Sequence, residues 1–368
     1  MRACIQMCGA SAIKSSITEF VEEIVGCKKC RIAILLPTFS RFDGVGKVVE
    51  QQSEELSGAG HHVSIFTLEA DMSPPKGVAL LRLRAPRNLL INRVYRVLFV
   101  LDPRVLVWAS RLKGFDVIIA HQYPMTYVGY IAKKLHGVRY VFYNHGQAYQ
   151  GIFALSSLER VYHRLMCALE DMSIKNADSA VCVSEFLRRE LKERVGMDGF
   201  VIYNKVDERF RRGLDGSSIR RRYGIGNDPL VLYVGRIVPH KGVHILIEAF
   251  RRVRREIPNA KLLIVGRHYY VEYSKRLRGM VDESVIFAED VPDDELPLYY
   301  AACDVYATCS LWEGFNLPIA EAQACGKPVV AFRVGSHPEV VDGHGTLVEA
   351  GDVVQFSEAC IRKLRGAR

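Results

Sequence analysis

Long apolar runs are missing from this chain. No stretch of about eighteen uncharged apolar residues occurs, which argues against a transmembrane helix. The opening MRACIQMCGASAIKSS has scattered apolar residues and one arginine, not the apolar core of a secretory leader. Ten cysteines are present, but they are scattered. Cys27-x-x-Cys30, with Cys4 and Cys8 upstream, has the spacing of metal ligands, yet no second tight pair accompanies it. A chain of 368 residues needs no disulfide staples. The plainer expectation is therefore reduced thiols in an N-terminal extension and a reducing, cytoplasmic home. No convincing acidic metal pair, nucleic-acid-binding motif or tight internal repeat is evident. The expectation is no metal, no cofactor and no nucleic-acid partner.

Hydrophobic residues make up 49% and charged residues 25%, as in a soluble globular protein long enough for two ordinary domains. The formal charge of +9 is unevenly spread. Between Lys76 and Arg139 twelve basic residues face two acidic ones, Asp102 and Asp116, for a local charge of +10. The middle of this segment, NLLINRVYRVLFVLDPRVLVWASRLK, interleaves arginines with large apolar residues. Two readings stay open: a helix pair that packs its apolar side and solvates its arginines, or a face lying on an anionic membrane. The second would place the protein at the inner face of the cell membrane as a peripheral protein.

Residues 1–30 read as an extension with one amphipathic helix, Ile17 to Val25. Buried strands follow at RIAILLPTF and HHVSIFTLE, with a glycine turn and a helix ending near Gly58–Gly60 between them. Further strands fall at Asp116–Ala120, Tyr140–Asn144 and Ala180–Ser184. Ser184 suits the cap of the helix SEFLRRELKERVG better than a substrate contact. Residues 209–227, polar, basic and glycine-containing, read as a linker. The alternation then restarts with PLVLYVGR, a helix whose Val243, Leu246, Ile247, Phe250 and Val253 form one stripe, KLLIVG, SVIFAE, DVYAT and PVVAF. Such alternation predicts two doubly wound α/β domains, 31–208 and 228–368, facing each other across a cleft.

The chemistry concentrates in EGFNLPIAEAQACGKPVVA, residues 313–331. A helix can begin at Leu317–Pro318 and stop at Gly326. Glu321 then lies one turn inside it, while Glu313 precedes it. A bend at Gly314 lets both carboxylates reach one ligand across the helix start, where the amides of Phe315, Asn316 and Leu317 are ready anion donors. In GRIVPHKG, residues 235–242, Arg236 offers a planar fork and Lys241 a mobile charge, a combination suited to a diphosphate. Each charge-assisted contact contributes roughly 1.5–3 kcal/mol. Two cations, a helix N-terminus and two carboxylates for hydroxyls describe a nucleotide-diphosphate sugar.

GRIVPHKG and EGFNLPIAEAQACGKPVVA resemble the signature segments of the family-4 retaining glycosyltransferases of GT-B fold, and the likeness runs from about Arg31 to the C-terminus. It implies two Rossmann-like domains, the first for the acceptor and the second for the donor. By that resemblance Arg236 and Lys241 grip the diphosphate, Glu321 holds the ribose hydroxyls and Glu313 lies beside the transferred sugar. Gly44 and Gly46 look like the family's glycine turn, against the alternative of an ordinary tight turn. His145, in YNHG, resembles the active-site histidine near the sugar, against the alternative of a structural histidine. For His121, in AHQYP, functional and structural readings stay level.

Three features depart from the pattern. Asn204-Lys205-Val206-Asp207 stands where Asn-Gly-Val-Asp is common, and a lysine there would be strained at positive φ. Asn316 replaces a frequent glycine, although asparagine tolerates the left-handed region. The sequence ends at Arg368 after one last helix, where the family typically adds helices that cross back onto the first domain. The expected reaction is metal-independent transfer of a sugar, with retention, to a glycan or lipid-linked acceptor. A nucleotide-sugar epimerase or hydrolase, or a non-catalytic subunit of this fold, are the alternatives.

Overall fold

The computed structural model describes residues 13–40, 44–86, 88–146 and 156–366. The chain divides between Asn204 and Lys205 into two compact units. Cys4 and Cys8 lie outside the described residues.

In the first unit β1 (Arg31–Phe39), β2 (His62–Ala70), β3 (Ala79–Arg82), β4 (Val117–Ala120), β5 (Arg139–Asn144), β6 (Ser179–Cys182) and β7 (Phe200–Val201) form one sheet, ordered β3-β2-β1-β4-β5-β6-β7. Every pairing is parallel. The residues Ile32 to Leu36 of β1 are fully buried, because helices cover both faces of a parallel sheet and leave no polar side. The segment read as an extension belongs to this unit. Its helix Ile17–Val25 is capped by the Ser16 hydroxyl, which accepts from the Glu19 amide. Buried Phe20 meets Phe200 edge-on at 5.3 Å, and the Lys14 amide donates to the Val201 carbonyl. Cys27 and Cys30 are joined in a disulfide, where reduced thiols were expected.

In the second unit β8 (Leu230–Val234), β9 (Lys261–Val265), β10 (Val285–Ala288), β11 (Val305–Thr308), β12 (Val329–Phe332) and β13 (Thr346–Val348) form a parallel sheet ordered β10-β9-β8-β11-β12-β13. The helix Val243–Glu256 buries the stripe expected of it, Val243, Leu246, Ile247, Phe250 and Val253. Three short edge strands, β3, β7 and β13, escape a reading by apolar runs, since two to four partly exposed residues carry little pattern.

Residues 209–227 are not a free linker. Phe210, Ile219 and Ile225 are buried in the second unit's core, and Phe210 meets Tyr300 edge-on at 5.6 Å. Arg220 donates to the Ala302 carbonyl and pairs with Asp304 at 2.9 Å. The polar composition misleads because apolar residues spaced between the arginines are buried and Arg220 is tied down rather than solvated. Lys205 carries no strain either: outside glycine, positive φ occurs among the described residues at Arg84, Asp290 and Asn316.

A Cβ on Gly216 would lie 2.2 Å from the Ala302 amide nitrogen. Gly216→Ala is therefore expected to destabilise the second unit by roughly 1–3 kcal/mol, as overpacking does. A lowered urea midpoint, followed by hydrogen exchange in β8 and β11, is the outcome expected of a docked segment. An unchanged midpoint is what a free linker would give.

Candidate functional site

In the second unit, β8 leads directly into Gly235-Arg236. Gly266 passes so close that a Cβ on it would lie 1.9 Å from the Gly235 carbonyl oxygen. Arg236 is exposed and makes no side-chain hydrogen bond or ion pair among the described residues, while its carbonyl accepts from the Tyr233 hydroxyl at 3.0 Å. Pro239–Lys241 make one 3-10 turn that ends at Gly242, φ +66°, where a Cβ would collide with the Cys309 carbonyl at 2.0 Å. The turn directs Lys241 inward.

There Lys241 meets Glu313. Its ammonium lies 2.6 and 2.7 Å from the two carboxylate oxygens, and both side chains are largely buried. Burial, the largest influence, pushes the Glu313 carboxyl up, but the charge and hydrogen bonds of Lys241 together with His337 and Ser310 outweigh it and hold the group below the usual carboxylate range. Burial also pulls the Lys241 ammonium below its ordinary value, with Glu313 opposing. Two residues assigned from separate motifs thus form one buried ion pair.

The loop that carries Glu313 is braced from behind. The Ser336 amide donates to the Glu313 carbonyl at 3.2 Å, and Gly335, φ +52°, approaches so closely that a Cβ would lie 2.3 Å from that oxygen. Asn316 occupies the left-handed region, φ 72° and ψ 69°. Its side chain explains how it is held there. His337 is fully buried, and its Nδ1 can only donate to the Phe332 carbonyl at 2.6 Å. Its Nε2 therefore accepts from the Asn316 side-chain amide at 2.8 Å. The turn leaves the backbone N–H groups of Asn316 and Leu317 without acceptors among the described residues, at the start of the helix Leu317–Ala324. That helix stops before Gly326, φ +74°, as its glycine predicts. Phe315 is buried beside the turn. Glu321, also buried, accepts the Tyr300 hydroxyl at 2.6 Å on one oxygen.

The first unit contributes a separate cluster. Gly44 and Gly46 lie in the helix Gly44–Gly58, and residues 41–43 before it lie outside the described residues. A Cβ on Gly46 would lie 2.3 Å from the Ser40 carbonyl, so this helix start requires glycine there. His121 follows β4 and His145 follows β5; their rings join at 2.8 Å through His121 Nδ1 and His145 Nε2. Tyr143 lies nearly parallel to both rings, at 5.0 and 5.1 Å. Burial lowers the pKa of His145 to about 3, and burial with His145 nearby holds His121 well below the ordinary histidine value. Both rings are neutral at physiological pH. The Ser184 hydroxyl accepts from the Leu187 amide, the capping role expected of it.

Sequence reading missed Tyr300, Ser336 and His337. The signal for the last two was Gly335-Ser-His-Pro338, a glycine before a proline-started helix. Nothing near Tyr300 in the sequence ties it to Glu321.

Breaking one partner of a buried pair strands the other charge. Lys241→Met is expected to cost about 3–5 kcal/mol at neutral pH, whereas Lys241→Met with Glu313→Gln should cost far less. A double-mutant cycle by urea unfolding reads the difference. The sign with pH follows from Glu313: its folded pKa is depressed, so its contribution is present above the unfolded value and fades as pH falls through the folded one. Glu313→Gln should remove that acid-side loss of stability.

Residues 42–210 match the profile described as Glycosyltransferase Family 4, and residues 228–365 match Glycosyl transferases group 1. Over 199 residues the chain is 37% identical to the GDP-mannose-dependent alpha-(1-6)-phosphatidylinositol monomannoside mannosyltransferase of Mycolicibacterium smegmatis, covering 50% of this chain and 52% of that protein. The chain thus spans about half the length of the first of these curated relatives. The N-acetyl-alpha-D-glucosaminyl L-malate synthase of Bacillus anthracis is 25% identical over 357 residues, 91% of this chain and 88% of that one. Among solved structures, sucrose-phosphate synthase from Thermosynechococcus elongatus superposes with a TM-score of 0.77 at 23% identity, covering 92% of this chain and 90% of that one. That likeness shows the GT-B fold. With both halves matched by profiles of one family and the fold shared along nearly the whole chain, this protein belongs to the family-4, group 1 glycosyltransferases.

Proposed function

We propose that the chain transfers a sugar from a nucleotide-diphosphate sugar to an acceptor that is lipid-linked or membrane-proximal, with retention and without a metal. The observation that carries this reading is the loop 313–317. It holds a buried carboxylate against Lys241 and opens two backbone amides at a helix start. In the proposed reaction the departing diphosphate is stabilised by Arg236, by Lys241 and by the amides of Asn316 and Leu317. Lys241 has three N–H donors, enough to keep Glu313 and still reach a phosphate oxygen. Glu321, buried and bonded to Tyr300, holds the ribose hydroxyls, and Glu313 orients the sugar. Attack comes from the face the diphosphate leaves, which lets the phosphate take the acceptor's proton. The mannosyltransferase relative is named for GDP-mannose and for a phosphatidylinositol-based acceptor, which supports the donor and acceptor classes.

The test is thermal unfolding of the wild type and Arg236→Ala with UDP, GDP and ADP in turn. A diphosphate at one hundred times its Kd stabilises the unit that binds it by about 2.7 kcal/mol. One of the three should raise Tm in the wild type and do so much less in the variant. The absence of any shift in the wild type would count against the donor site.

The membrane part of the reading rests on a surface of the first unit. Ile91, Val94 and Leu98 lie at helical spacing on Leu89–Leu98 and are 57%, 59% and 50% exposed, and Leu101 beyond them is 75% exposed. Leu158, Val161 and Leu165 repeat the pattern on Ser157–Ile174, at 82%, 62% and 41%. Arg93 reaches across between these helices to Glu159, at 4.0 Å. Apolar stripes with exposed Arg93, Arg160 and Arg164 match an anionic bilayer in both hydrophobicity and charge. Arg104, by contrast, is held by Asp102 at 2.7 Å and contributes less to such a face. Leu101→Ser with Leu158→Ser should weaken sedimentation with phosphatidylglycerol vesicles. Arg93→Gln and Arg96→Gln should each remove about 1 kcal/mol, and Arg104→Gln less. Equal binding to phosphatidylcholine vesicles would contradict the electrostatic part.

A further inference from the structure

Where the strands of the first sheet begin, three side chains of metal-ligand type come together. Cys27 follows Gly26, the left-handed residue (φ 73°) that stops the helix Ile17–Val25, and Cys30 immediately precedes β1. Asp116 immediately precedes β4, the neighbour of β1. One donor atom from each, two sulfurs and a carboxylate oxygen, lie within 4.8 Å of one another, and no other such group occurs among the described residues. Main chain fixes two of the three. The Cys30 amide donates to His61 Nδ1 at 3.2 Å, and the Cys30 carbonyl accepts from the His62 amide at 2.9 Å. The Arg31 amide donates to Asp116 Oδ2 at 2.7 Å, and the Asp116 amide returns a bond to the Arg31 carbonyl. The other Asp116 oxygen has no hydrogen bond among the described residues. Carboxylates that ligate metals are themselves held by hydrogen bonds in this way.

As a staple the disulfide does little, because Cys27 and Cys30 are three positions apart and so short a loop restricts the unfolded chain weakly. Its opening is the more consequential event. A dithiol that reduces it gives up two electrons and two protons, breaks the S–S bond and becomes a disulfide itself. Two thiols then stand beside the Asp116 carboxylate, and exposed Lys28 and Lys29 between them favour their thiolates. Other described cysteines are poor competitors for a metal. Burial pushes the thiols of Cys167 and Cys325 up to about 11 and those of Cys182, Cys303 and Cys360 to about 12, and it holds Cys309 well above the ordinary value.

We propose that Cys27, Cys30 and Asp116 form a redox-gated site for a zinc-like divalent cation, closed as the disulfide and open as the dithiol. Binding releases the two thiol protons to solvent, and water takes the fourth tetrahedral position. With Zn–S bonds of about 2.3 Å the sulfurs stand roughly 3.8 Å apart. The Cα atoms are 6.1 Å apart, so side-chain rotation can open that gap without moving β1. Thiolate ligands select zinc over magnesium or calcium. The bound cation ties the helix Ile17–Val25 to the starts of β1 and β4. It lies at the opposite end of the sheet from His121 and His145, so it acts on the stability of the first unit and takes no part in sugar transfer.

The experiment uses the full chain, either oxidised or reduced with dithiothreitol that is then removed without air. Iodoacetamide labelling and peptide mass spectrometry confirm that Cys27 and Cys30 are freed, and Zn²⁺ is titrated against a chromophoric chelator. The reduced wild type should bind one more equivalent of Zn²⁺ than the oxidised protein, and Zn²⁺ should raise Tm in the reduced form alone. Cys27→Ser should lose that equivalent. Asp116→Asn keeps an oxygen for the Arg31 amide, and its affinity should fall by at least about tenfold. Equal uptake by the oxidised and reduced forms, or an equivalent retained in Cys27→Ser, overturns the site. Unchanged affinity in Asp116→Asn overturns the carboxylate as a ligand. A disulfide that dithiothreitol leaves intact in the folded chain overturns the gating.

Discussion

Every strand in both sheets runs parallel, so every strand must discharge its chain at the same end of its sheet. That single constraint gathers the polar chemistry of each unit. A parallel sheet covered on both faces has no room for polar side chains along its length, and they accumulate where the strands stop. His121 and His145 follow β4 and β5 in the first unit. Arg236 follows β8 and Glu313 follows β11 in the second. The helices return the chain over the sheet, and glycine appears where backbone must cross backbone, as at Gly242 against Cys309 and Gly266 against Gly235.

At those strand ends the same physical problem is solved repeatedly, in different chemistry. A buried polar group must be paired or it destabilises the fold. Glu313 is paired by Lys241, Glu321 by Tyr300, Asn316 by His337, and His121 by His145. Each pairing also fixes the direction of a buried side chain. The groups left over, the amides of Asn316 and Leu317 and the guanidinium of Arg236, are donors. Donors without acceptors are what an anionic ligand requires. The asparagine that replaces the family's glycine fits this account. Its side chain is fastened to His337, so the left-handed turn is held by a hydrogen bond instead of by the absence of a side chain.

Much of this was legible beforehand, for a reason that differs by element. The long strands and the helix Val243–Glu256 announce themselves by apolar runs and periodicity, because burial on a regular element leaves a regular trace. Leu317–Ala324 was readable at both ends, from Pro318 and Gly326. The edge strands β3 and β13 were not, since few residues and partial exposure leave almost no pattern. Residues 209–227 were misread outright. An arginine such as Arg220, which donates to Ala302 and pairs with Asp304, looks the same in a sequence as an arginine in water.

The sequence by itself determined the alternating architecture, the two cationic and carboxylate motifs and the family to which they point, because these depend on residues near one another in the chain. Only the tertiary structure decided which of those residues meet. Lys241 and Glu313 are 72 positions apart, Tyr300 and Glu321 are 21, and His121 and His145 are 24. Their pairing depends on strand order and on the close approach of loops. It also depends on burial that removes water as the competing partner, and local composition records none of these.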